Sequence, residues 1–142
     1  MRKQTTLAVL AGAMAFAPLA LRPAAAEAGT PPVVHEVKMR MEGTNARFEP
    51  ANLTIRSGDR IRFVNVSGGP HNVSFDPAKM PDDVERVLAR SMANQIQPLW
   101  GELVSAPNAA YVVSFAGVRA GRYEFFCLPH VGMRMTGTIT VQ

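Results

Sequence analysis

The chain predicts an all-β Greek-key sandwich or barrel with one inserted α-helix, and three observations predict it. Short runs of alternating apolar and polar residues recur between clusters of Gly, Pro, Ser, Asn and Asp. Seven or so such runs fit within about 110 residues, the density of a small sandwich or barrel. A single segment, around 82–97, breaks the alternation with helical spacing.

The first 28 residues stand apart from this pattern. Met1-Arg2-Lys3 is positive, Leu7–Leu21 is uncharged and mostly apolar, and Ala24-Ala25-Ala26-Glu27-Ala28 supplies small residues. This reads as a secretory signal peptide, cleaved after Ala26 or Ala28, that leaves a domain over 29–142. The apolar run is short of the ~20 residues of a spanning helix and contains Pro18, so no stable membrane insertion is expected. The destination is the periplasm or another exported location, with the mature protein soluble.

The expected strands follow in order. Val33–Met41 alternates loosely. Leu53–Arg56 leads into the Ser57-Gly58-Asp59 turn. Ile61–Val66 places Ile61 and Phe63 on one face, and Ser67-Gly68-Gly69-Pro70 breaks the chain again. Asn72–Phe75 is a short strand; Tyr111–Phe115, Arg122–Cys127 and Met135–Val141 complete the set. The helix opens at Asp82 as N-cap with Glu85 as its capping-box partner, and Val84, Leu88, Met92 and Ile96 form its apolar stripe. Pro98 ends it.

Charge excludes one class of function. The full chain has 15 Lys+Arg against 11 Asp+Glu, a net of +4. Loss of Arg2, Lys3 and Arg22 with the signal lowers Lys+Arg to 12, so the mature chain carries only +1 or +2. No basic stripe remains for nucleic acid.

The lone cysteine narrows the chemistry. An exported protein with one Cys has no disulfide framework, and its thiol needs burial, catalysis or a metal to protect it. Cys127 opens Cys127-Leu128-Pro129-His130-Val131-Gly132-Met133-Arg134-Met135, between two expected strands. A second histidine, His71, stands upstream in Pro70-His71-Asn72. Two imidazoles, a thiolate and a weak thioether form the trigonal type 1 copper set, which suits copper in both oxidation states. The candidate ligands are His71, Cys127, His130 and Met135, holding one copper per chain. Strand parity puts Tyr123, Phe125 and Cys127 on one inward face, Glu124 in solvent and Phe126 outward. His35 has no ligand-like neighbours and reads as an ordinary surface or edge residue.

The Cys-x-Pro-His-x-x-x-x-Met loop and the upstream Pro-His-Asn resemble the plastocyanin and pseudoazurin group of cupredoxins. The likeness extends through Phe48-x-Pro50, Leu53-Thr54-Ile55, Gly58-Asp59, Phe63-Val64-Asn65, Ala106-Pro107 and Gly121-x-Tyr123-x-Phe125. It implies a cupredoxin fold and single-electron shuttling by Cu(II)/Cu(I). It also implies that the Asn72 backbone N–H donates to the Cys127 sulfur, which tunes the potential. His130 would bring the site to the surface, ringed by Pro70, Pro129, Val131 and Gly132, where transient redox partners such as a cytochrome or a copper or haem enzyme would dock. The carrier would be a monomer.

Met133 competes with Met135 for the axial position, because shorter cupredoxin loops place their Met at the earlier site. Met135 directly precedes the last strand and is the expected ligand. Phe126 stands where plant-type plastocyanins carry Tyr, and Asp82, Asp83 and Glu85 have Arg86 and Arg90 close by, so neither a second electron route nor an acidic docking patch is implied. The alternative function is a copper carrier or store. A copper enzyme would need further His-rich centres, and only His35 remains beyond the two candidate ligands.

Overall fold

A computed structural model of the chain describes residues 30–142; the expected signal peptide and its cleavage site lie outside the described residues. Seven strands form two sheets: β1 (Val34–Glu42), β2 (Asn45–Glu49), β3 (Asn52–Ile55), β4 (Arg60–Asn65), β5 (Ala110–Ser114), β6 (Gly121–Phe126) and β7 (Thr136–Val141). One sheet runs β2-β1-β4-β5 and the other β3-β7-β6. β1 pairs with β4 in parallel, and β3 with β7 likewise; the other pairings are antiparallel. The single α-helix among the described residues, α1 (Asp82–Ser91), is inserted between β4 and β5. This is the cupredoxin sandwich with its inserted helix.

Alternation builds the core. Val37 and Met39 of β1, Ala46 and Phe48 of β2, Ile61 and Phe63 of β4, and Tyr111 and Val113 of β5 point inward and are buried. Tyr123 and Phe125 of β6 and Ile139 and Val141 of β7 meet them from the other sheet. Phe125 is the centre of an aromatic cluster, edge-on to Phe48 at 4.7 Å, to Phe63 at 5.5 Å and tilted against Phe75 at 6.4 Å.

Two expected elements differ. Asn72–Phe75 forms no strand of its own; it makes only isolated bridges, from Ser74 to Trp100 and Phe126, next to the bridge of His71 with Val104. The seventh strand is instead β2, which has just two inward residues and is an edge strand, so its alternation is too short to read.

The helix is also shorter than 82–97. Pro81, not Asp82, is its N-cap, with no side-chain cap bond, and it ends at Ser91. Gln95 explains the end: its amide donates to the carbonyls of Ala89 (2.7 Å) and Met92 (3.0 Å), and its Oε1 accepts from the Leu99 N–H (2.7 Å). Asn94 turns the chain away in the left-handed region at φ 47°. Ile96, expected on the apolar stripe, lies beyond the helix and is 50% exposed. No helix among the described residues is long and apolar enough to cross a membrane.

Candidate metal centre

The site forms where the chain leaves β6 and where the segment after β4 crosses the same end of the sandwich. Cys127 follows β6 and is fully buried, as the parity of Tyr123 and Phe125 requires. The chain then turns through two short 3₁₀ segments over Leu128–Met133 and enters β7. Backbone bonds close this loop: Cys127 N–H donates to the Met135 carbonyl at 3.0 Å, His130 N–H to Cys127 at 3.1 Å, and Met135 N–H to His130 at 3.3 Å. Arg134 makes the last turn in the left-handed conformation, φ 59°.

His71 is fixed by two backbone bonds with Val104, of 3.0 and 2.7 Å. Gly69 permits that approach, because a Cβ there would lie 2.9 Å from Asn65 Nδ2 and 3.1 Å from the Val104 carbonyl. The Nε2 of His71 lies 2.9 Å from the Ser67 carbonyl. A carbonyl only accepts, so Nε2 carries the proton and Nδ1 is left with a bare lone pair.

That lone pair faces the thiol. Cys127 Sγ lies 3.7 Å from His71 Nδ1 and 3.4 Å from His130 Nδ1, and the three donor atoms lie within 4.8 Å of one another. The two rings sit 4.7 Å apart, tilted by 52°. Donors about 2.0 Å (nitrogen) and 2.3 Å (sulfur) from a shared ion, at tetrahedral to trigonal angles, lie about 3.5–3.8 Å apart, so the observed spacing fits one metal ion. Met135 is fully buried next to these residues, whereas Met133 is 41% exposed.

Asn72 joins the two halves. Its backbone N–H donates to Cys127 Sγ at 3.5 Å, as the resemblance implied. Its side-chain oxygen accepts from Leu128 N–H at 2.8 Å, and its amide donates to Ser74 Oγ and the Gly101 carbonyl, both at 3.0 Å. Burial pushes the Cys127 thiol up, partly offset by the N–H groups of Asn72 and His130. Burial, and then the neighbouring His71, push His130 down. Without metal, burial thus favours the neutral forms of the Cys127 thiol and the His130 imidazole, and a soft cation that binds here displaces the thiol proton. His130 is only 8% exposed, so little more than one edge of it meets solvent.

Other singled-out residues behave differently. His35 is more than an ordinary edge residue: its Nε2 lies 2.9 Å from Oδ2 of buried Asp59. Phe126 faces outward as its parity requires, but it is half-buried because Trp100 stacks edge-on against it at 6.3 Å. Asp83 pairs with Arg119 at 2.9 Å, and Lys79 with Glu124 at 3.1 Å. Sequence reasoning missed the carbonyl of Ser67; the four-residue step from Ser67 to His71 around a Gly-Gly-Pro turn was its only trace.

A two-sheet Greek-key frame that sets a buried thiol between two imidazole nitrogens defines a type 1 copper protein with the cupredoxin fold. Residues 35–142 match the copper binding proteins of the plastocyanin/azurin family. The plastocyanin of Nostoc punctiforme is 42% identical over 108 residues, covering 76% of this chain and 73% of that one. Ginkgo biloba plastocyanin is 39% identical over 106 residues, 75% of this chain and 98% of the relative. The solved oxidised plastocyanin of the fern Dryopteris crassirhizoma superposes with a TM-score of 0.61 at 29% identity, covering 75% of this chain and 99% of that one. The chain belongs to the plastocyanin/azurin family and is a copper electron-transfer protein.

Proposed function

We propose that this chain is an exported, monomeric one-electron shuttle, with His71, Cys127 and His130 as the strong ligands of a single copper and Met135 as its weak axial ligand. Copper, when bound, supplies the Cu(II)/Cu(I) couple. The chain's own residues hold the donors still. The Ser67 carbonyl keeps Nδ1 of His71 bare, and Asn72 clamps the His71 segment to the Cys127 loop. A frame bonded on both sides reorganises little when charge at its centre changes, and small reorganisation is what rapid electron transfer needs. His130 connects the buried site to the surface, where a redox partner docks briefly. The residues 1–28 direct export and are then removed. No second His-rich centre exists in the chain to support enzymatic turnover, so it acts as carrier rather than enzyme.

The observation that supports this reading most directly is the placement of Sγ at 3.4 and 3.7 Å from two imidazole nitrogens in a fully buried, hydrogen-bonded frame. The test is to add Cu(II) to the mature protein and record visible absorption and electron spin resonance. An intense thiolate-to-copper band with narrow hyperfine splitting is expected, and Cys127→Ser abolishes both. Met135→Leu should change the spectrum and potential strongly and Met133→Leu hardly at all; the reverse result would move the axial role. A copper carrier is the alternative. It would surrender Cu(I) to a chelator within minutes, whereas a shuttle retains it through repeated redox cycles.

A further inference from the structure

We propose that Arg134 selects redox partners by charge: the surface around His130 fits a partner whose docking face carries carboxylates around an apolar centre. This rests on the electron-transfer reading above and adds the partner's chemistry to it. The first observation is conformational. Among the described residues, four that are not glycine adopt positive φ: Asn94, Leu99, Asn108 and Arg134. Asn tolerates this region, and Leu99 is held there by complete burial. Arg134 has neither reason, because it is exposed. An arginine kept at φ 59°, where glycine would sit unstrained, puts its side chain at the surface one residue before Met135.

The second observation is electrostatic. Arg134 enters none of the ion pairs among the described residues. Four segments meet at the site's end of the sandwich: 43–44, 66–73, 103–109 and 128–135. Arg134 is their one charged residue. The acids that flank these loops differ: Glu42 pairs with Arg47 at 3.1 Å, whereas Glu102 accepts from the neutral Asn94 amide at 3.3 Å and keeps its charge. Beside Arg134 stand Val131, 54% exposed, and Met133, so the loop joins an apolar patch to one unpaired cation; Asp76, Lys79 and Glu124 line the cleft that Val131 borders, where Lys79 and Glu124 pair with each other. Such a face attracts an anionic partner and repels a cationic one.

The test uses the copper-loaded full domain. The reduced protein is oxidised in stopped flow by hexacyanoferrate(III), a trianion, and by tris(phenanthroline)cobalt(III), a trication, across a range of salt. At low salt, Arg134→Gln should slow the anionic oxidant about fourfold and speed the cationic one, with both effects fading as the screening length shrinks. Arg134→Glu should extend both changes. Arg60→Gln, an exposed cation at the start of β4 and so at the opposite end, should change neither. In parallel, ¹⁵N-labelled protein is titrated with the redox-inert paramagnetic trianion hexacyanochromate(III), and broadening should centre on Val131–Met135 and disperse in Arg134→Gln. Equal slowing of both oxidants, or identical behaviour of Arg134→Gln and Arg60→Gln, would overturn the proposal. Absence of the thiolate–copper band would instead overturn the electron-transfer reading, and the inert-anion titration would still decide the charge of the surface.

Discussion

The side chain of Asn72 uses all its hydrogen-bonding capacity short of one acceptor lone pair: Oδ1 accepts from Leu128, and Nδ2 donates to Ser74 and Gly101. It is fully buried, so each partner lost leaves a polar group without water. Asn72→Ala is expected to cost about 2–4 kcal/mol and to lower the melting temperature by about 10–15 °C in calorimetry of the metal-free protein. A shift of only a degree or two would mean the clamp is incidental. Arg134 lies at the other extreme. Its left-handed backbone strains any side chain with a Cβ, so Arg134→Gly is expected to stabilise the fold by up to about 1 kcal/mol, seen as a higher urea midpoint at constant slope. Stability and partner selection then change in opposite directions at one residue, as expected where strain serves a site.

At the scale of the element, α1 illustrates how a helix end is decided by one side chain just beyond it. The apolar spacing of Val84, Leu88, Met92 and Ile96 would continue the helix, but the Gln95 amide occupies carbonyls that further turns would need. Gln95→Ala is expected to destabilise by about 1–2 kcal/mol, because it frees the carbonyls of Ala89 and Met92 and the N–H of Leu99 together. Ile96→Ser, at a half-exposed position outside the helix, should stay within about 0.5 kcal/mol. Urea unfolding of the two variants separates a helix ending at Ser91 from one running to residue 97, for which the Ile96 change would be the costlier.

The whole molecule is fastened at the end remote from the metal centre by Asp59. Its buried carboxylate accepts from His35 Nε2 (2.9 Å), from Val33 N–H (2.9 Å) and from Arg56 N–H (3.0 Å), tying the start of β1 to the turn before β4. The His35 hydrogen bond first, then the two backbone N–H groups, hold this carboxyl far below the usual carboxylate range. A group depressed in the folded state contributes stability that is present above its unfolded pKa, about 3.9, and is lost as pH falls below it. The protein is therefore expected to lose stability steeply between roughly pH 4 and pH 2. Asp59→Asn should flatten that slope while lowering stability at neutral pH. An unchanged acid limb in thermal melts would show that other carboxylates dominate it.

Much of this was legible before any coordinates. The period-2 parity that turns Tyr123, Phe125 and Cys127 inward is local stereochemistry, and each of the three is buried. The nine-residue run from Cys127 to Met135 sets donor types and their order along one loop, which chain geometry alone nearly determines. By contrast, β2 is a strand because β1 offers it an edge, and 72–75 is not one because its N–H and C=O groups go to Leu99, Gly101, Phe126 and the Cys127 sulfur instead. The pairing of His35 with Asp59, 24 residues apart, and of Trp100 with Phe126 left no local trace. The sequence by itself determined which atoms could bind a soft metal and the two-residue rhythm that buries them, since both depend on neighbours along the chain. Only the tertiary structure decided that His71 would meet a thiol 56 positions away with Nδ1 bare, because that depends on a carbonyl and a strand edge brought close by the packing of two sheets.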